Sequence, residues 1–221
     1  MDKHSQVVPA ILTDDPKALE TMVRQAETFT TWVQFDIIDG QFVPSRSITY
    51  EHLANLPMKL SWEAHLMVKN PEDYLEGFRQ AGAQRVAFHY ESTHSPREVI
   101  SLARGLGLGV SVAINPDTLI SAILPLIGEV DSVLFLSVYP GFYSQEFIPE
   151  VLGKVAEFRI ACPGVEIGID GGIRENNIAN VARAGVDVIY VGSAIFSQEQ
   201  PGESFRRLVT LAQEGWRHRT G

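Results

Sequence analysis

The chain has 221 residues, 45% hydrophobic and 20% charged, which is enough to bury the core of one large domain or two small ones. Its formal net charge of -9 argues against broad binding to nucleic acid or to an anionic membrane, because both need a basic surface. The N-terminus has no apolar signal core, no apolar run is long enough to span a bilayer, and Cys162 is the one cysteine. We therefore expect a cytoplasmic protein.

Short apolar runs alternate with longer amphipathic segments along the chain. The short runs predict eight strands, at 7–12, 33–38, 60–67, 84–89, 109–114, 131–138, 165–170 and 187–192. Most segments between them are predicted as helices; Leu19, Met22, Val23 and Ala26, for example, recur at helical spacing. Eight such repeats favour a closed barrel over an open sheet, whose Gly-x-Gly-x-x-Gly fingerprint is missing after the first strand. The predicted fold class is thus α/β, a single (β/α)8 TIM barrel formed by one domain over residues 1–221.

The end of the second predicted strand carries two carboxylates. Asp36 and Asp39 close an apolar run, and Gly40 and Pro44 then force the chain into a loop. In a parallel barrel the carboxyl ends of the strands converge on one pocket, and a carboxylate buried there needs hydrogen bonds or a cation. Asp36 is therefore a candidate catalytic or metal-binding residue, whereas Asp39 next to Gly40 is better explained by turn chemistry.

Other strand ends add further candidates. His65, His89 with Glu91, and Asp170 follow the third, fourth and seventh predicted strands. Two carboxylates and an imidazole meeting across the mouth would suit proton transfer to and from carbon, and a cation between them would stabilise an enediolate. Structural alternatives stay open, because a strand-end Asp can cap a helix and His65 can be a hydrogen-bonded core residue. His89 with Glu91 is either an active pair or a surface pair.

Glycine pairs follow the last two predicted strands. Gly171 and Gly172 come after Asp170, and Gly192 precedes Ser193. Glycines expose backbone N–H groups, and barrels frequently bind phosphate after strands seven and eight. The segment 139–145 after the sixth strand is either a mobile lid over this end or an ordinary Pro-Gly turn.

Ordered segments across nearly the whole chain resemble the ribulose-phosphate 3-epimerase family. The matching segments are 9–12, 35–44, 65–68, 140–142, 147–150, 170–173 and 192–196. The resemblance implies a phosphate-binding barrel that epimerises a phosphorylated ketose at C3, with ribulose 5-phosphate and xylulose 5-phosphate as the default pair. It also implies two aspartates acting on opposite faces of the substrate, and a divalent metal, commonly zinc, iron or manganese, that holds the enediolate.

Carried onto this chain, the family pattern assigns roles to individual residues. Asp36 and Asp170 would be the acid/base pair and metal ligands, and His65 would be a third ligand. The implied substrate- and phosphate-binding residues are Ala10, His65, Gly141, Phe142, Tyr143, Ser144, Gly171, Gly172, Gly192 and Ser193. The expected partner is a small sugar phosphate, with no nucleic acid and no membrane, and family members often form homo-oligomers.

The chain departs from the family pattern at the same site. Gln34 stands where the family has a metal-binding histidine, Ala10 replaces a serine, Gln41 replaces a histidine, and Tyr143 and Ser144 replace lid glycines. A glutamine oxygen is a poorer ligand than imidazole for zinc-like ions. We therefore expect weaker metal binding, a preference for harder ions, or no metal.

Two alternatives to the epimerase remain at this point. One is a diverged, non-catalytic barrel that binds sugar phosphates. The other is a metal-free isomerase or lyase, but the related decarboxylase and hexulose-phosphate synthase barrels carry Asp-x-Lys at a strand end. The residues 36–39 read Asp-Ile-Ile-Asp and contain no lysine, which counts against this alternative.

Overall fold

Eight parallel strands close into a barrel in the computed structural model, which describes residues 4–141 and 145–218. The strands are β1 (Gln6–Ile11), β2 (Trp32–Ile38), β3 (Ser61–Met67), β4 (Arg85–His89), β5 (Gly109–Ile114), β6 (Ser132–Leu136), β7 (Glu166–Asp170) and β8 (Val188–Val191). Each strand pairs with the next, and β8 pairs with β1. The predicted (β/α)8 fold class is confirmed. The apolar runs form the buried strands of the barrel, and the amphipathic segments between them form helices that cover its outside.

Helices cover the outside of the barrel. They are α1 (Pro16–Ala26), α2 (Tyr50–Ala54), α3 (Leu75–Gln80), α4 (Pro96–Gly105), α5 (Val151–Ala161), α6 (Ile178–Arg183), α7 (Ser193–Phe196) and α8 (Pro201–Arg217). The connection from β5 to β6 departs from the predicted pattern, because it forms two 3-10 segments, Ile120–Ala122 and Leu124–Glu129. Pro125 lacks a backbone donor and Gly128 lowers helix propensity, which explains the absence of a regular α-helix there. No helix in the described ranges is both long and apolar enough to cross a membrane.

Charged side chains fill the amino-terminal end of the barrel. Arg85 pairs with the fully buried Glu63, contacts Glu166 at 2.7 Å, and donates from Nη2 to the Tyr190 hydroxyl at 3.1 Å. Tyr190 also lines the cavity at the opposite end. The paired charges thus plug one end of the barrel, and the open end lies at the carboxyl termini of the strands.

Gly215 in α8 lies against α6, and we expect Gly215→Ala to lower the free energy of unfolding by about 1–3 kcal/mol. A Cβ at this position would lie 2.7 Å from Ala179 Cα, so the two helices would have to separate. Gly153→Ala in α5 is the matched control, since its Cβ would meet nothing described within 4 Å. The control should gain about 0.5–1 kcal/mol from helix propensity. Urea unfolding measures both, and an unchanged midpoint for Gly215→Ala would contradict the close approach.

Candidate active site

Three strands bring the principal site residues together. Asp36 in β2 pairs in register with His65 in β3, and Gln34 lies two residues before Asp36 on the same face. Asp170 ends β7, on another part of the barrel wall. Because inward-facing residues alternate along each strand, all four side chains point into the barrel at its carboxyl-terminal end.

The four side chains form one hydrogen-bonded cluster. His65 Nδ1 lies 2.9 Å from Asp36 Oδ1 and 3.4 Å from Asp170 Oδ2. Gln34 Nε2 donates to the same two oxygens, at 3.2 Å and 3.0 Å. Gln34 and His65 are fully buried, while the aspartate side chains keep 10% and 13% exposure. The carboxylates therefore face the open end, with two shared donors behind them.

Electrostatics couples the two carboxylates. Burial and the negative charge of Asp170 raise the pKa of Asp36 to about 6, although His65 and Gln34 oppose the shift. Burial lowers the pKa of His65, but hydrogen bonds to Asp170 and Asp36 outweigh burial and raise that pKa to about 10. A protonated His65 thus offsets part of the negative charge, and Asp36 can exchange a proton near neutral pH.

The same cluster can hold a metal ion. Asp36, His65 and Asp170 each offer one ligand atom, and these atoms all lie within 4.8 Å of one another. Two carboxylate oxygens and one imidazole nitrogen suit zinc, iron or manganese. Gln34 turns its N–H group, which cannot ligate a cation, towards the carboxylates. Its Oε1 atom is buried and accepts no hydrogen bond within the described part of the chain.

Two serines fix the backbone on either side of the cluster. The Ser47 hydroxyl donates to the Asp36 carbonyl at 2.8 Å and accepts from the Ile38 N–H at 2.9 Å. The Ser137 hydroxyl shares its one proton between the Asp170 carbonyl at 2.9 Å and the Gly171 carbonyl at 2.7 Å. Sequence reasoning missed Ser47, because a loop serine carries no pattern that identifies its partner.

A cavity of about 410 Å³ opens above the cluster, which is large enough for a small phosphorylated metabolite. The predicted residues that line it are Ala10, Asp36, His65, Gly141, Asp170, Gly171, Gly172, Gly192 and Ser193. Gln34 lies fully buried behind them. Phe142, Tyr143 and Ser144 lie outside the described residues. The structure therefore gathers the described candidates at one mouth, and their chemical roles stay predictions.

Tyr190 also lines the cavity, and the sequence reasoning missed it. The available signal was the alternation of side chains along β8, because Tyr190 and Gly192 are two residues apart and share a face. Its ring extends the apolar wall of the cavity, while its hydroxyl contacts Arg85 at the other end of the barrel.

Backbone conformation makes glycine necessary at one end of the cavity. Gly171 has φ +110° and Gly172 has φ +64°, the left-handed region that side chains disfavour. A Cβ at Gly172 would lie 2.7 Å from the Phe147 backbone nitrogen, so the chain packs too closely there for any other residue. The four-residue helix α7 begins at Ser193, directly after Gly192.

Asp39 and Gln41 lie outside the cluster. Asp39 Oδ1 accepts from the N–H groups of Gln41 and Phe42 at 2.8 and 3.0 Å, and its Oδ2 accepts from the Lys69 N–H at 2.9 Å. These bonds confirm the turn role expected of Asp39. Gln41 is exposed and does not line the cavity, so its departure from the family pattern does not change the cluster.

The structure excludes one of the two sequence-based alternatives for the His89–Glu91 pair, and the alternative of an active pair stays a prediction. His89 is fully buried, and its Nε2 lies 3.0 Å from His65 Nε2. The interpretation as a surface pair is therefore wrong for His89. The side chain contacts His65 of the cluster but does not line the cavity.

The fold and the cluster define a TIM-barrel protein with two facing carboxylates and a histidine at the catalytic end of the barrel. A sequence model of the "Ribulose-phosphate 3 epimerase family" matches residues 6–196. Ribulose-phosphate 3-epimerase of Aquifex aeolicus is 40% identical over 185 residues, covering 81% of this chain and 83% of the relative. The Schizosaccharomyces pombe enzyme of the same name is 35% identical over 219 residues, covering 95% and 96%. The chain belongs to the ribulose-phosphate 3-epimerase family.

Solved structures share the fold at much lower identity. KGPDC from Streptococcus mutans, solved in complex with a ligand, has a TM-score of 0.77 at 14% identity, covering 96% of this chain and 99% of that chain. The 3-hexulose-6-phosphate synthase from Salmonella typhimurium has a TM-score of 0.73 at 16% identity, covering 95% and 99%. At these identities the likeness concerns the fold alone.

Proposed function

We propose that this protein interconverts ketose phosphates at C3, with ribulose 5-phosphate and xylulose 5-phosphate as the default pair. One observation carries the proposal: Asp36 and Asp170, from different parts of the barrel wall, line one cavity and share the same two donors. Inversion at carbon needs a base on one face and an acid on the other, which is what two carboxylates on separate strands can supply. The names of the relatives from Aquifex aeolicus and Schizosaccharomyces pombe support the same reaction.

The proton transfers follow from this arrangement. The ionised aspartate removes the C3 proton, and the electrons of the C3–H bond pass through C2 to the carbonyl oxygen, which gives an enediolate. The other aspartate, in its acid form, returns a proton to C3 from the opposite face. Burial and the negative charge of Asp170 raise the pKa of Asp36 to about 6, so Asp36 carries a proton part of the time near neutral pH and can both take up and return one.

Asp36, His65 and Asp170 would hold a divalent cation, zinc, iron or manganese. Such a cation, when bound, supplies positive charge that stabilises the oxygens of the enediolate. Gln34 has a separate task, because its N–H group donates to both carboxylates and holds them close together. Proton transfer itself therefore belongs to the two aspartates.

The glycine-rich end of the cavity is proposed to bind the phosphate. Gly171, Gly172, Gly192 and Ser193 border the cavity after β7 and β8. Backbone N–H groups in left-handed and turn conformations form concave anion sites, and such a site functions in a protein of net negative charge. A phosphate held there would place the carbon chain of the sugar across Asp36 and Asp170.

Hydrogen exchange at C3 tests the function. Ribulose 5-phosphate is incubated with the protein in deuterated water, with added Zn²⁺ or Mn²⁺ or with chelator, and proton NMR follows the C3 signal and the formation of xylulose 5-phosphate. We expect deuterium at C3 together with the epimer. Phosphate-dependent binding without exchange would instead support the non-catalytic barrel, and a different sugar product would support the isomerase or lyase.

A further inference from the structure

A second buried imidazole lies next to the cluster. His89, at the end of β4, and His65 are both fully buried, and their Nε2 atoms are 3.0 Å apart. The ring planes differ by 20° and the centroids are 5.1 Å apart. Nearly coplanar rings with nitrogen atoms at this distance meet edge to edge, so one N–H···N hydrogen bond joins them.

Glu91 lies on the far side of His89. Its Oε2 is 3.4 Å from His89 Nδ1, and its Oε1 accepts from the Asn115 N–H at 2.8 Å and from the Thr118 hydroxyl. These two donors come from the loop after β5 and hold the carboxylate in place. A row of groups therefore runs from the Asp36–Asp170 pair through His65 and His89 to Glu91.

The contacts define where the protons lie along this row. The contact between His89 Nδ1 and Glu91 Oε2, at 3.4 Å, lies outside hydrogen-bond geometry, but the negative charge of the carboxylate still favours a proton on Nδ1 over a lone pair. We therefore infer the His89 tautomer with its proton on Nδ1, which leaves Nε2 to accept from the N–H of His65 Nε2, 3.0 Å away. His65 then turns Nδ1 towards Asp36 and Asp170, at 2.9 and 3.4 Å.

Neighbouring side chains shield the two histidines of this row from water, whereas Glu91 is exposed. The Phe42 ring, from the loop after β2, lies with its centroid 5.0 Å from that of His89. The Ser92 hydroxyl donates to the His89 carbonyl at 2.7 Å and fixes the strand end. Hydrogen bonds between polar groups in such a dry setting are stronger and more orienting than those in water.

We propose that His89 and Glu91 are positioning residues, which hold the His65 ring with its Nδ1 atom facing the two carboxylates. The proposal rests on the proposed function for its kinetic consequences, since the ring it orients is the one beside the acid/base pair. Neither residue lines the cavity, so both act through His65 and not on the substrate. A carboxylate that orients a histidine is a common device, and its loss typically costs about 10–100-fold in metal affinity or activity.

The tautomer of His89 tests the geometry without substrate or metal. Long-range proton–nitrogen NMR on the chelator-treated protein resolves the rings of its six histidines, and a His89→Gln variant assigns the signal. We expect the proton of His89 on Nδ1 and a hydrogen-bonded proton on Nε2 of His65. A proton on Nε2 of His89 would overturn the proposal, whatever the kinetics show.

Kinetics on variants tests the consequence. His89→Leu is expected to lower kcat for C3 exchange by about 10–100-fold with KM unchanged, and His89→Gln, which keeps an acceptor towards His65, should recover most of the loss. Glu91→Gln provides the second test if His89→Leu does not fold, with a smaller loss of kcat. His94→Leu is the matched control, because His94 is exposed and does not line the cavity.

The outcomes separate this proposal from the proposed function. If the wild type exchanges hydrogen at C3 and folded His89→Leu has the same kcat, the positioning role is overturned and the epimerase function stands. Where His89→Leu does not fold, an unchanged kcat of Glu91→Gln has the same meaning. Absence of exchange in the wild-type protein would remove the proposed function, while the NMR tautomer would still decide for or against the positioning of His65.

Discussion

Asp36→Asn is expected to lower the rate of C3 hydrogen exchange by about 10²–10⁴-fold, the usual contribution of a positioned acid or base. Asparagine keeps the size and the hydrogen-bond acceptor of the side chain but cannot take a proton from carbon. Asp170→Asn should stop epimerisation to the same degree, because inversion needs a proton carrier on each face. Proton NMR in deuterated water, with ribulose 5-phosphate as substrate, measures both variants.

Two controls make this result specific to proton transfer. Asp14→Asn removes an exposed carboxylate that does not line the cavity, and it should exchange at the wild-type rate. Substrate affinity of Asp36→Asn should stay within a few fold of wild type, since the glycine end of the cavity is untouched. Full retention of exchange in Asp36→Asn would exclude the role assigned to this carboxylate.

Gln34→His is expected to raise the affinity for Zn²⁺ by about 100-fold or more. This exceeds the about 10–100-fold effect of residues that only orient metal ligands, because the new histidine would be a ligand itself. Gln34 directs an N–H group at Asp36 and Asp170, whereas an imidazole at the same place offers a nitrogen ligand that zinc prefers to an amide oxygen. Competition with a chromophoric chelator measures the dissociation constants of the wild type and the variant.

Gln41→His is the matched control for this change. Gln41 is the other glutamine at a position where the family pattern has histidine, but it is exposed and lies outside the cavity. Its substitution should leave zinc affinity unchanged. Equal affinities of the wild type and Gln34→His would show that position 34 does not face the ligand set, which would contradict the hydrogen-bond geometry.

Strand patterns alone predicted much of the fold. The eight apolar runs became strands whose ends differ from the predicted ones by at most two residues, because buried parallel strands need continuous apolar stretches. The prediction that most connections are helices left room for the β5–β6 connection, where Pro125 and Gly128 act locally against a continuous α-helix and 3-10 segments form instead. The hydrophobic pattern predicts secondary structure reliably where many residues contribute to it, and poorly where one or two residues determine the local conformation.

The strand pattern was enough to predict that Asp36, His65 and Asp170 would line one opening, because every strand of a parallel barrel ends at the same rim. The burial and the hydrogen bonds of Gln34 and His89, by contrast, became known from the folded chain. Gln34 donates to Asp170, which is 136 residues away, and His89 is buried under Phe42 from another strand's loop. Burial and hydrogen bonding depend on which residues, distant in sequence, pack against a side chain. The local sequence at a strand end does not identify those residues.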